Sequence, residues 1–234
     1  MAFKELQLPE IGTVRLYKRR GNRSLKLSVL NNGVIRVSLP IWVPYSSGLA
    51  FVKSKTDWIG NQRQHQQPLL QNNQLIGKAH HLFFLARSDQ AGVTTRIKAN
   101  EILVSHPVSM IHSSPTTQLA AQTAIRRALK TEADNLLPQR IKALASAHDF
   151  KYNSVSTRYL KSRWGSCNHK NDIVLNIYLM QLPWSLIDYV LLHELVHTKV
   201  LQHGPPFWRE FEKQLPEAKK YRKAIRQYQP YAIL

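Results

Sequence analysis

His193-Glu194-Leu195-Val196-His197, followed by Thr198-Lys199-Val200-Leu201-Gln202-His203-Gly204, is the stretch that decides how this chain is read. On an α-helix, residues i and i+4 lie one above the other on the same face. His193 and His197 can therefore grip one ion from a single helix. Glu194, one position round, can reach a water beside that ion, which is why His-Glu-x-x-His on a helix marks zinc proteases. His203 offers a third imidazole. On an unbroken helix it would sit roughly 80° away from His193, so the chain must leave the helix and fold back. Gly204-Pro205-Pro206 keeps the helix from running far past this point, and the turn is expected near Val200. Three imidazoles leave one open coordination position, as catalytic zinc requires and structural zinc does not. The ligand spacing equals that of the metzincins, but Val200 stands where those proteins turn on glycine, which argues against membership.

The flanks agree. Pro183 suits a helix start, and Leu186, Ile187, Val190, Leu191 and Leu195 recur at helical spacing. A chance histidine pair on such a helix would leave a buried carboxylate unpaired, a costly arrangement. Upstream, residues 172–179 read as a strand. Before them, Lys161-Ser162-Arg163-Trp164-Gly165-Ser166-Cys167 is placed to receive an extended peptide by strand addition. Gly165 permits close backbone approach, and Arg163 offers a forked donor. Cys167 reads as a small packed residue before it reads as a fourth ligand. Besides the ion, a developing oxyanion needs a donor, and Arg163, Tyr178 and Tyr189 are the candidates.

Composition sets the outer bounds. The 234 residues suffice for one large domain or two small ones with a real core. No apolar run approaches the roughly 20 residues that span a bilayer. Met1-Ala2-Phe3-Lys4-Glu5 lacks the profile of a signal peptide, and Cys167 is the only cysteine, so the expectation is a cytoplasmic protein. The net charge is +19, and residues 1–112 carry 15 Lys and Arg against 5 Asp and Glu, residues 113–234 18 against 9. Both halves are basic, as suits a protein that meets nucleic acid or another polyanion, although a solvated surface explains such charge as readily.

The predicted architecture is α+β. A β-rich N-terminal region, residues 1–112, is expected to hold strands near 14–17, 25–29, 34–39, 81–85 and 101–104, with a hairpin turn at Asn31-Asn32-Gly33. One helix is predicted over 47–64, with Leu49, Val52 and Trp58 inward. Residues 113–234 should form a helical catalytic region: a helix over 117–132, with Leu119 on its packed side, kinked or restarted at Pro138 and reaching 147. An edge strand, the His-Glu-x-x-His helix and a basic helical tail follow. His80-His81 reads as a surface or packing feature before a second metal site, and no internal repeat is visible.

Arg163-Trp164-Gly165-Ser166-Cys167, Asn176, Pro183, Tyr189, His193-Glu194-Leu195-Val196-His197, His203-Gly204 and Phe207-Trp208 together resemble the YgjP-like metallopeptidase family, which is related to the SprT-like and WLM zincins. The resemblance implies a zincin-like fold, Zn2+ as cofactor, His193, His197 and His203 as its ligands, Glu194 as catalytic base, and a protein or peptide substrate. It leaves the physiological substrate open. Two other readings use the same residues: a basic nucleic-acid-binding protein with a structural zinc, and a zinc hydrolase of a non-peptide bond.

Overall fold

The computed structural model describes residues 3–30, 33–64 and 69–230 of an α+β chain. It divides into two compact units, residues 1–68 and 69–234. The first holds β1 (Phe3–Leu8), β2 (Gly12–Arg19), β3 (Lys26–Val29), β4 (Ile35–Pro40), α1 (Tyr45–Lys53) and α2 (Thr56–Gln64). Its sheet runs β1-β2-β4-β3, with β2 and β4 parallel and the outer pairs antiparallel. Val14, Leu16, Ile35, Val37 and Leu39 alternate onto the buried face, where Val52 and Ile59 cover them. β2, β3 and β4 fall where predicted, while β1 was not anticipated; the turn residues Asn31 and Asn32 lie outside the described ones. The single helix expected over 47–64 is two helices, broken at Ser54-Lys55, and Trp58 points outward at 41% exposure.

The second unit opens with β5 (Gln74–Ile76), β6 (His80–Arg87), β7 (Thr94–Lys98) and β8 (Glu101–Pro107), in the order β5-β6-β8-β7 with β6 and β8 parallel. This sheet repeats the topology of the first. β4 reads Ile35-Arg36-Val37-Ser38-Leu39-Pro40 and the matching stretch of β8 reads Ile102-Leu103-Val104-Ser105-His106-Pro107; Ile, Val, Ser and Pro coincide, and so does the burial of alternate residues. A four-strand unit therefore recurs where no repeat was apparent. The boundary also lies at 68/69 and not at 112/113, because this second sheet shares a core with the helices that follow it.

Next come α3 (Pro115–Ala147), β9 (Ser154–Arg158), β10 (Gly165–Cys167), β11 (Asp172–Asn176), a 3-10 turn (Ile177–Gln181), α4 (Trp184–Val196), α5 (Pro205–Gln214) and α6 (Ala218–Ile225). Ser114 caps α3, its Oγ accepting from Thr117 N at 3.3 Å. The helix runs through Pro138 unbroken, since Ala133, Leu137, Ile141 and Ala145 are buried on both sides of it and packing outweighs one lost hydrogen bond. Leu119 faces outward, 60% exposed. His80 is a packing residue: its Nδ1 lies 2.5 Å from Glu132 Oε1, and Glu132 also accepts from Lys78 N and Ala79 N. Gly77, at φ +66°, makes the turn that brings those amides onto α3, where a side chain would strike the Glu132 carboxylate.

The third sheet, β10-β11-β9, has β11 parallel to β9 and antiparallel to β10, so β10 is an edge. The strand predicted over 172–179 stops at Asn176. Asn176 Oδ1 accepts from Tyr178 N at 3.2 Å and starts the 3-10 turn. Among the described residues, no helix is long and apolar enough to cross a membrane.

Candidate metal centre and cleft

α4 is apolar almost all round, with Leu186, Ile187, Leu191, Leu192, Leu195 and Val196 buried, so it sits inside the core. His193 and Glu194 occupy its last turns and His197 is its C-cap. The chain then turns at Thr198–Val200, with Val200 N bonded to Val196 O, and Gly204 leads into α5. This reversal brings His203 back onto the other two histidines. His203 Nε2 lies 2.9 Å from His193 Nε2 and 3.1 Å from His197 Nε2, and the three ligand atoms fall within 4.8 Å of one another.

Three ring nitrogens at this spacing suit a cation better than each other. A tetrahedral ion with Zn–N bonds near 2.05 Å holds its nitrogens about 3.3 Å apart. His197 Nδ1 faces the Val200 carbonyl at 3.1 Å, so Nδ1 donates and Nε2 presents a lone pair. His193 Nδ1 is buried with no partner among the described residues; the rings of Phe207 (4.8 Å) and Phe211 (5.5 Å) hold this imidazole edge-on. Burial first, then His197, His203 and Arg222, push His193 down to about 3, and burial lowers His197 as well. Both stay neutral, as ligands must be. The residues fit a divalent metal.

Glu194 is 4% exposed and turned away from the ring cluster of α5, toward β10. Burial pushes its carboxyl up to about 8, with Arg163 opposing, and Oε2 has no partner among the described residues. Gly165 is what lets β10 lie so close: a Cβ there would stand 2.7 Å from Glu194 Oε1 and 2.8 Å from Cγ. α4 and β10 meet across a cavity of about 470 Å³. The stretch Arg163–Cys167 lines it together with His193, Glu194 and His197 from α4 and its cap, and with Leu201, His203 and Ile225.

Of the other predicted site residues, Arg163 and Tyr189 line this cavity and Tyr178 does not. Tyr178 is buried edge-on against Tyr159, with ring centroids 5.6 Å apart, because the strand that would have aimed it at the cleft ends two residues earlier. Burial pushes its hydroxyl up to about 12 and raises that of Tyr189 too. Cys167 lines the wall but is not part of the histidine cluster; burial raises its thiol to about 11. Sequence reasoning missed Ile225, whose signal was its i+4 spacing from Tyr221 in the basic tail. It also gave Asn176 no task. That side chain is fully buried, and its Nδ2 donates to Leu160 O (2.8 Å), Arg163 O (2.9 Å) and Pro230 O (2.9 Å).

Comparison with known proteins agrees with the geometry. The family described as YgjP-like, metallopeptidase domain, matches residues 23–228. The chain belongs to the YgjP-like metallopeptidase family. The match reaches from β3 in the first unit to the end of α6, so the family embraces both units. Two solved structures are similar over parts of the chain. The metallopeptidase zymogen abylysin of Pyrococcus abyssi shares 26% identity, with a TM-score of 0.37, over 42% of this chain and 100% of its own. The metallopeptidase zymogen jannalysin of Methanocaldococcus jannaschii shares 21%, with a TM-score of 0.34, over 37% of this chain and 90% of its own. No curated protein matches the chain.

Proposed function

We propose that this YgjP-like metallopeptidase is zinc-dependent, with His193, His197 and His203 as the ligands and Glu194 as the general base. The observation that carries this reading is the convergence of three Nε2 atoms beside a buried, unpartnered carboxylate that lines an open cavity. Zinc, when bound, supplies Lewis acidity that polarises the scissile carbonyl and acidifies water.

The chain's own residues do the rest. Glu194 takes a proton from the attacking water and delivers it to the leaving amine. Its dry setting favours proton uptake, and Gly165 keeps the carboxylate against the cleft wall. β10, an edge strand, receives the substrate backbone by strand addition and draws the scissile bond along α4. Tyr189 keeps its hydroxyl proton and lines the cavity, so it can donate to the oxyanion that develops on the substrate, with Arg163 as the second candidate. Tyr178 drops out. With one cysteine in the chain and no need of disulfides, the proposed place of action is the cytoplasm.

The test pairs metal content with turnover. Wild type and Glu194→Gln should both bind one zinc and fold alike, while only wild type cleaves unfolded casein. Zinc-loaded wild type that cleaves no unfolded protein, or a Glu194→Gln variant as fast as wild type, overturns the proposal.

A further inference from the structure

The cations around the cleft differ from the general basicity of the surface. Residues 150–171 contain Lys151, Arg158, Lys161, Arg163 and Lys170 and no acidic residue, and this stretch forms β9, the approach to β10, and β10 itself. Residues 218–230 contain Lys219, Lys220, Arg222, Lys223 and Arg226, again with no acidic residue, and this stretch carries α6. Both stretches reach the cavity, which Arg163 lines from the first and Ile225 from the second.

On α6, Tyr221 and Ile225 make one i,i+4 stripe, toward Tyr189 and the cavity. Arg222 and Arg226 make the neighbouring stripe, about 100° round. Arg222 is held by an aromatic face and not by an acid: its guanidinium carbon is 4.2 Å from the Trp208 ring centroid. That ring in turn lies 6.2 Å from His193 and 6.1 Å from His203. Lys219 and Lys220 are paired with Glu212 and Glu217, whereas no ion pair among the described residues uses Arg163, Arg222 or Arg226. Among the described residues, Glu194 is the only carboxylate lining the cavity. Three guanidinium groups thus stand around the cleft outside any ion pair among the described residues, and the one carboxylate that Arg163 acts on, Glu194, is in the cleft itself.

We infer that the cleft selects polypeptide segments carrying Asp or Glu within a few residues of the bond presented to Glu194, held by Arg163 together with Arg222 and Arg226. This rests on the peptidase reading above and adds a substrate class to it. Guanidinium pairs with a carboxylate through two parallel N–H bonds, and low-dielectric walls focus the field of like charges at a cleft. A polypeptide is favoured over a polynucleotide because the cavity-lining segment that carries Arg163 runs into an edge strand. Its main-chain groups pair with another main chain and not with phosphodiesters.

The test compares a peptide bearing Asp and Glu around the cleaved bond with the same peptide carrying Asn and Gln. With zinc-loaded protein at low salt, kcat/KM for the acidic peptide should exceed that for the neutral one by about tenfold, mostly through KM. The gap should close as salt shortens the Debye length below roughly 4 Å. Arg222→Gln and Arg226→Gln should each move the acidic-to-neutral ratio toward one, and Arg226→Lys should largely keep it. Fluorescence anisotropy of the labelled peptides on Glu194→Gln reads the same ratio as Kd without turnover. If neither peptide is cleaved but the Kd ratio persists, the peptidase reading fails and the acidic selectivity stands. A Kd ratio near one, or a ratio that ignores the arginine variants, overturns the inference. So does a single-stranded oligonucleotide that displaces the acidic peptide and binds more tightly than it, which would assign these arginines to a polynucleotide.

Discussion

Gly165→Ala isolates the contact between the edge strand and Glu194, the proposed base. Gly165 is not among the positive-φ residues, so alanine suits its backbone and the only obstacle is space. The new methyl would lie 2.7 Å from Glu194 Oε1, 2.8 Å from Cγ and 2.9 Å from Cδ. Real contacts of this kind begin above 3 Å, so roughly half an ångström of movement must come from Glu194 or from β10. A side chain yields more cheaply than a paired strand, and the stability cost should sit at the low end of the ~1–3 kcal/mol that overpacking costs. Catalysis is less forgiving: a misplacement approaching 1 Å costs about 100-fold. The expected variant is thus folded and zinc-replete, with kcat/KM on a peptide substrate lowered by about one to two orders of magnitude. Urea denaturation, zinc analysis and steady-state kinetics on one preparation check it. Wild-type kcat/KM in a folded Gly165→Ala protein would refute the claim that this glycine positions Glu194, and loss of fold would refute the ranking of side chain before strand.

Other outcomes follow from single groups. Asn176→Asp turns a carboxylate toward the three carbonyls that Nδ2 now serves, and should cost about 3 kcal/mol or more in urea denaturation; under about 1 kcal/mol would refute it. Cys167, with its thiol raised to about 11, should react with iodoacetamide at pH 7.5 roughly two orders of magnitude more slowly than a free cysteine; equal rates would show an open, ordinary thiol. Asp172 is held below the usual carboxylate range by Ser154, Asn168 and Asn153. A depressed folded value stabilises above the unfolded one and is lost as pH falls through it, so wild type should exceed Asp172→Asn in stability at pH 6 and lose that lead from about pH 4 downward. A gap constant from pH 6 to pH 2.5 would count against it.

The histidine cluster was legible because it is local: two of its members sit one helical turn apart and the third needs only a reversal, which Gly204-Pro205 announces. Glycine in Arg163–Cys167 announced a close approach in the same way, although only the fold names Glu194 as what it approaches. Tyr178 shows where legibility ended. Ile177, Tyr178 and Leu179 are as apolar as the strand before them, and what stops the strand is a side chain bonding its own backbone, which periodicity does not register. The break between α1 and α2 likewise has no glycine or proline to mark it. Pro138 misled in the opposite direction, because tertiary burial outweighs a local penalty. The repeated sheet hid because its halves share a burial rhythm and a few residues of β4 and β8, with little identity elsewhere.

Asn176 joins segments that are far apart along the chain. Two of its three acceptors lie behind it at residues 160 and 163, and the third, at residue 230, lies 54 residues ahead. A chain made from its N-terminus onward can form β9, β10, β11 and α4 while that third carbonyl is still unsynthesised. The two hydrogens of the amide have Leu160 O and Arg163 O meanwhile, and Pro230 O comes later to share one of them. That last bond waits for α6 to be made, so one side chain beside the cleft ties the segment ahead of β10 to the one that follows α6.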